Sequence, residues 1–205
     1  MTIELAAFQH IERAYWKSSS WGIWAAQGDA VKSNVGDLSV FDFTTAPQNF
    51  QLLHNNFVVV GLNISTNNIH EKFQNFHSAS PRAHDYKLRY AFMDTPVWGC
   101  YMTDILKDYP EVDSSKVKRA VIGGSADINN HFRIFNEEIE VLSAKGAVFV
   151  GLGGLATELM RKALPSSAKI VGVRHYSDWR ISKEQYRSDF IAAVEGVTSP
   201  VCHGI

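Results

Sequence analysis

Four short runs of the chain are almost wholly apolar: "FVVVGL" (57–62), "GCYMT" (99–103), "AVFVG" (147–151) and "KIVGV" (169–173). A strand with one wet face alternates apolar and polar residues, so continuous apolarity calls for strands covered on both faces. Around them the spacing changes from strand-like to helical. Phe135, Ile139 and Leu142 share one helical face, as do Leu155, Leu159 and Ala163, and Tyr186, Phe190 and Val194 repeat every fourth residue. Buried strands alternating with amphipathic helices leave few options. They predict an α/β fold: a three-layer αβα sandwich whose central sheet is four-stranded and mostly parallel.

The remaining composition bounds this reading. A chain of 205 residues makes one domain over 1–205, and its 45% hydrophobic and 12% aromatic content supplies a large core. Residues 1–50 are rich in Trp and Tyr, as in "AYWKSSSWGIWAAQ", and Phe8, Ile11 and Tyr15 recur at helical spacing. This start is predicted to be a helical segment packed on the body, with "SSSWGIW" either core or an exposed partner surface. "KSNVGDLSVF" reads as turn material. The apolar runs are too short and too interrupted by glycine to span a bilayer. The formal net charge of -1 gives no global field to attract DNA or anionic lipid. Cys100 and Cys202 match no metal or redox spacing, and with no signal-like start they predict a reducing cytoplasm.

In a parallel sheet of this kind ligands bind beyond the carboxyl ends of the strands, where strand order reverses. The residues to weigh are therefore those that end strands. Asn63 closes the first, after Gly61 and Leu62; it is either a turn asparagine or an amide aimed into a crevice. Asp104 follows the second, as a cap, an ion-pair partner of Lys107, or a functional carboxylate. The fourth runs into "VRHYSDWRIS", which gathers Arg174, His175, Ser177, Asp178 and Arg180 within seven residues, as a solvated loop or a proton-handling site. The third ends in "GLGGLA". Gly151, Gly153 and Ala156 spell the dinucleotide fingerprint, and Arg174 stands where a 2′-phosphate binder could sit; glycines that let a helix approach a sheet give the same letters.

Taken in series, these pieces resemble the uracil-DNA glycosylase superfamily over roughly residues 55–195. "VVVGLNIS" is similar to its first motif, in which an acidic or amide residue lies beside the scissile bond. Asn63 takes that place, as in the mismatch-specific branch, with Ile64 where proline is usual. Phe76 in "FQNFHS" falls where the family stacks an aromatic on the flipped base, with Phe73 as the fallback and a plain core Phe as the bland reading. "GCYMTDILKDYP" is similar to the strand that ends in a base-reading asparagine, a slot held here by Asp104. "RHYSDWRIS" is similar to the His-Pro-Ser loop, with Tyr176 replacing proline.

The resemblance implies a DNA-repair hydrolase that excises a base from single- or double-stranded DNA. His175 would donate to the departing base and Asn63 would hold or polarise the water. Gly61, Leu62, Phe76 and Asp104 would contact the base; Ser65, Ser177, Arg174 and Arg180 would hold phosphates. It also accounts for "GLGG" as packing, with no cofactor, and the cluster-binding cysteines of some branches are absent, so no iron–sulfur cluster is implied. An ionised Asp104 only accepts hydrogen bonds, which disfavours uracil O4 and favours a base that presents an amine, unless burial keeps the acid protonated. Two alternatives stand beside this reading. One is a nucleic-acid- or nucleobase-binding protein of the same fold without excision; the other is an NADP-binding enzyme that uses Gly151–Ala156.

Overall fold

A computed structural model describes residues 2–65 and 69–198. Helix α1 (Leu5–Ala14) buries Phe8 and Ile11, as their spacing requires. Strand β1 (Ser19–Trp21), a 3-10 turn (Leu38–Phe41) and the short α2 (Pro47–Phe50) lead to β2 (His54–Asn63). Then follow α3 (Tyr86–Phe92), β3 (Cys100–Leu106), α4 (Ser114–Ile122), α5 (Ile128–Val141), β4 (Val148–Leu152), α6 (Gly154–Ala163), β5 (Lys169–Val173) and α7 (Lys183–Thr198). Among these described residues no helix is long and apolar enough to cross a membrane.

The sheet runs β1-β3-β2-β4-β5. The four expected strands are present and mutually parallel, and β1 adds a fifth, antiparallel to β3. Sequence alone predicts a helical segment here, so β1 is a departure from it. Serine is a weak strand former, and this strand exists because β3 offers it an edge, with Ser19 facing Thr103 and Trp21 facing Tyr101. Ser18, Ser19, Ser20, Trp21, Ile23 and Trp24 are all buried, so "SSSWGIW" is core.

Alternating residues of the central strands feed two cores. On one face Val58, Val60 and Tyr101 pack against Phe8 of α1, Phe135 and Ile139 of α5 and Leu159 of α6. On the other, Phe57, Val59, Met102 and Val150 meet Leu88 and Phe92 of α3 and Tyr186 and Phe190 of α7. Burial on both faces explains the unbroken apolar runs. The chain moves outward from β2 to β3 and returns past β2 to β4, so strand order reverses between β2 and β4, and beyond the carboxyl ends of two such strands is where sheets of this kind form a ligand crevice.

One boundary differs from expectation and matters for the site. Strand β3 continues through Leu106 with all seven residues buried, so Asp104 lies within the strand and not after it. The extension is held by a polar network on the α5 face. Glu138 accepts from the Tyr101 hydroxyl and from Thr103 Oγ1 at 2.9 Å, and Lys107 Nζ pairs with its carboxylate. Lys107 is thereby taken by Glu138, so Asp104 is neither a helix cap nor the partner of Lys107. Cys100 is buried with a free thiol, and Cys202 lies outside the described residues.

Candidate functional site

Gly61, Phe76 and Asp104 come together on the α3/α7 face of the sheet. Gly61 pairs with Asp104 across β2 and β3. A Cβ at Gly61 would collide with Asp104 Oδ1 and lie 3.2 Å from the ring of Phe76, so only glycine allows this approach. Phe76 arrives there on a strained backbone. Both Phe73 and Phe76 have left-handed φ angles, 62° and 67°, a cost of about 1–3 kcal/mol each for bulky residues. The segment holds because Ser20 Oγ donates to Phe73 O at 2.8 Å, while the two rings enter opposite cores. Phe73 packs against Phe8 and Phe41, away from the crevice. Phe76 itself is only 6% exposed and belongs to the core on the α3/α7 face.

The same strained segment delivers Asn75, whose Nδ2 donates to Asp104 Oδ2 at 2.8 Å and to Ser18 O at 3.3 Å. Asp104 is 2% exposed. Burial pushes its pKa up to about 7; the Asn75 hydrogen bond and Lys107 oppose the shift and Glu138 adds to it. A second acid lies nearby. Asp85 is buried and accepts from Ser78 N–H at 2.6 Å. Burial raises it to about 6, against the Ser78 hydrogen bond, the Tyr176 hydroxyl and Lys32, which lower it. Tyr176 feels both carboxyls, and burial lifts its own pKa well above the ordinary value.

His175 stands at the end of β5, near Gly153 of the β4 turn, where a glycine Cβ would be 3.6 Å from its Cβ. Its ring stacks on Tyr176 with centroids 4.5 Å apart. Ser177 N–H donates to His175 Nδ1 at 3.2 Å and Ser177 Oγ lies 2.7 Å from the same nitrogen. A nitrogen that accepts an N–H carries no proton, so the proton of the neutral ring sits on Nε2. Burial lowers the pKa of this imidazole to about 4, which keeps it neutral at pH 7.

Other expected site residues are placed differently. The Asn63 amide is committed as a staple: Nδ2 donates to Ile64 O, Tyr109 O and Glu111 O at 2.9, 3.0 and 2.8 Å. Three carbonyls around one nitrogen fix the orientation of the amide and turn Oδ1 away from the 109–111 loop. Among the described residues no hydrogen bond or ring contact joins Asn63 to His175. Leu62 packs on the opposite face with the α1/α5 core, so it brings only backbone to the crevice. Ser65 is an exposed bend residue beyond β2. Arg174 and Arg180 are both engaged by Asp178, which accepts from Arg180 Nε and Nη2 at 2.8 Å each and from Arg174 Nη1 at 3.3 Å. The two arginines hold the carboxyl of Asp178 well below the usual range, the Arg180 contacts foremost.

In "GLGGLA" packing explains Gly151 and backbone conformation explains Gly153. Gly151 lies inside β4, and a Cβ there would collide with Thr157 Oγ1 and come within 2.7 Å of Met160 Cε. Gly153, at φ 94°, turns the chain into α6, and Thr157 Oγ1 donates to its carbonyl at 2.8 Å. Among the described residues no group of three or more His, Cys, Asp or Glu side chains is placed to hold a metal ion.

Asn75, Asp85 and Trp179 were not singled out from sequence. Asp85 precedes α3 and reads as a helix cap, although its side chain makes no capping bond. Trp179 is 80% exposed in the His175 loop, the one signal that sequence did offer, an aromatic among polar neighbours. That loop is pinned to α3 by Lys87, whose Nζ donates to Asp178 O and Ile181 O at 2.8 and 2.9 Å. No protein-family model matches the chain, and neither a curated protein nor a solved structure matches it.

Proposed function

We propose that this crevice takes a nucleobase and that the protein hydrolyses the N-glycosidic bond of a flipped, modified or mismatched base in DNA. One observation carries the reading: a neutral histidine at a strand end, its Nδ1 engaged by Ser177 and its Nε2–H left as the donor. When the bond from C1′ to the base nitrogen breaks, its electron pair goes to the base. A fixed N–H donor near the base oxygen stabilises that developing charge, and removing such a donor costs about 2.7–4 kcal/mol. Water adds to the cationic C1′ and releases its proton to solvent, and the base is protonated as it leaves. Asn63 has no basic atom for that proton, so its part is to orient the water through Oδ1. Phe76 offers an aromatic edge beside Gly61, and Trp179 an exposed face on which an unstacked base can rest.

Asp104 sets the class of base. As the ionised acid it accepts from an exocyclic amine; as the neutral acid it also donates to an oxo group. A second reading, binding without excision, is favoured by the commitment of the Asn63 amide to backbone and of both loop arginines to Asp178.

End-labelled oligonucleotides, each bearing one lesion (uracil, hypoxanthine, xanthine, a T·G mismatch or an alkylated cytosine), separate the readings after alkali treatment. Cleavage of at least one lesion, reduced about 100-fold or more in His175→Ala, is the expected result. Binding with no cleavage of any lesion selects the second reading.

A further inference from the structure

Two surface cavities lie away from Asp104 and His175. One, of about 340 Å³, is bordered by Glu12 and Lys72. The other, of about 420 Å³, opens at the opposite end of the sheet from the candidate site, where β4 and β5 begin, between the last turns of α5 and the α6–β5 connection. The floor of this second cavity is core: Ile139, Phe149 and Leu164 border it and are only 2%, 1% and 8% exposed. Its rim is charged. Glu140 and Lys145 both border it and pair at 3.0 Å. Asn136 Nδ2 donates to Ala163 O at 3.1 Å, which ties α5 to the end of α6 and fixes the wall between them.

We infer that this second cavity binds a single free α-amino acid with an apolar side chain. The inference is independent of the nucleobase reading, because no residue of the cavity belongs to the candidate site. A volume of about 420 Å³ falls at the small end of ligand pockets, about 300–1,000 Å³, and suits one small molecule. The paired acid and base above an apolar floor then decide the charge of the occupant. An ion of one sign would separate Glu140 from Lys145, neutralise one of them and lie against the like charge of the other. A zwitterion satisfies both: its ammonium takes Glu140, its carboxylate takes Lys145, and its side chain descends onto Ile139, Phe149 and Leu164. Opening the pair costs little, since Glu140 and Lys145 are 62% and 74% exposed and such surface pairs contribute little to stability. The cavity stands at the amino ends of the strands, whereas sheets of this kind place their active sites at the carboxyl ends. The amino acid is therefore held there and not turned over.

Calorimetric titration of the full chain with leucine, phenylalanine, isoamylamine and isocaproate tests this, with backbone amide shifts followed by NMR. Isoamylamine is leucine without its carboxylate, and isocaproate is leucine without its ammonium. Leucine or phenylalanine is expected to bind and to shift the amides of Glu140, Lys145, Phe149 and Ala168. Leucine should bind tighter than either of its analogues by about tenfold or more, the worth of one charged contact. Glu140→Gln and Lys145→Gln, both at exposed positions, should each weaken leucine by a similar factor. Ala168→Leu, which narrows the cavity and keeps its charges, should also weaken it and decides the matter if a glutamine variant does not fold. No binding of either amino acid overturns the inference. An analogue that binds as tightly as leucine overturns it too, by making the cavity a plain apolar one. So does leucine binding that the folded variants leave unchanged.

Discussion

Asp104 combines two costs, a buried carboxyl and a tight approach to a glycine, and the balance makes its charge depend on pH. A carboxyl that binds its proton more tightly in the folded chain adds stability below its unfolded value, here 3.8. That stability is lost as pH rises through the folded value of about 7. Asp85 acts in the same direction, with its loss complete once pH has risen through about 6. His77 and His175 act on the other flank. Burial lowers them to about 3 and about 4, so their contribution is present above 6.5 and is lost as pH falls towards those values. Stability is therefore expected to peak in the mildly acidic to neutral range. In urea unfolding, Asp104→Asn should flatten the loss of stability that this acid causes as pH rises from 3.8 to about 7, a loss of at most about 1.4 kcal/mol per pH unit. The same variant should remove any pH dependence of base preference; a preference that shifts with pH as in the wild type would mean that Asp104 does not read the base. The oddity of Asp104 is legible in sequence, since it follows four residues expected to be buried. Its partner was not: Asn75 reaches it only through a left-handed turn at two phenylalanines, a conformation that side-chain identity argues against.

At the level of elements, the join of β4 to α6 shows why one stretch of letters supported two readings. A dinucleotide turn and a close-packed helix both demand glycine, for the same steric reason. Here the demand comes from Thr157, which crowds Gly151 and also stands 2.8 Å from a Cβ position at Gly172. Gly151→Ala should destabilise the protein by about 1–3 kcal/mol, because the backbone of α6 as well as the Thr157 side chain must move. For a chain of this size each kcal/mol lowers the melting temperature by about 2–4 °C, which calorimetry resolves. A melting temperature equal to the wild type's would show that the glycine is not there for packing. The long buried strands were readable because covering both faces leaves a compositional trace. The short β1 left none: its strand character comes from pairing with β3 and not from its serines.

Taken as a whole, the molecule carries little net charge, and the two arginines of the His175 loop are spent on one carboxylate. Phosphate contacts set the salt dependence of DNA binding, at about 0.9 units of slope per contact in a duplex. Replacing Asp178 with Asn releases Arg174 and Arg180 from their shared partner. The expected result is tighter DNA binding, with a log–log salt slope steeper by about one to two units. A slope that does not change would place the DNA backbone away from this loop.

The most direct test of the account is to map backbone and indole amide shifts by NMR while titrating the protein with a single-stranded oligonucleotide bearing the lesion it processes or binds best. The account expects the largest shifts at Gly61, Asn63, Asp104, Gly153, Tyr176 and Ser177 and at the Trp179 indole, all at the carboxyl end of the sheet. Shifts confined to the cavities beside Lys72 or Asn136, or none at saturating oligonucleotide, would contradict it.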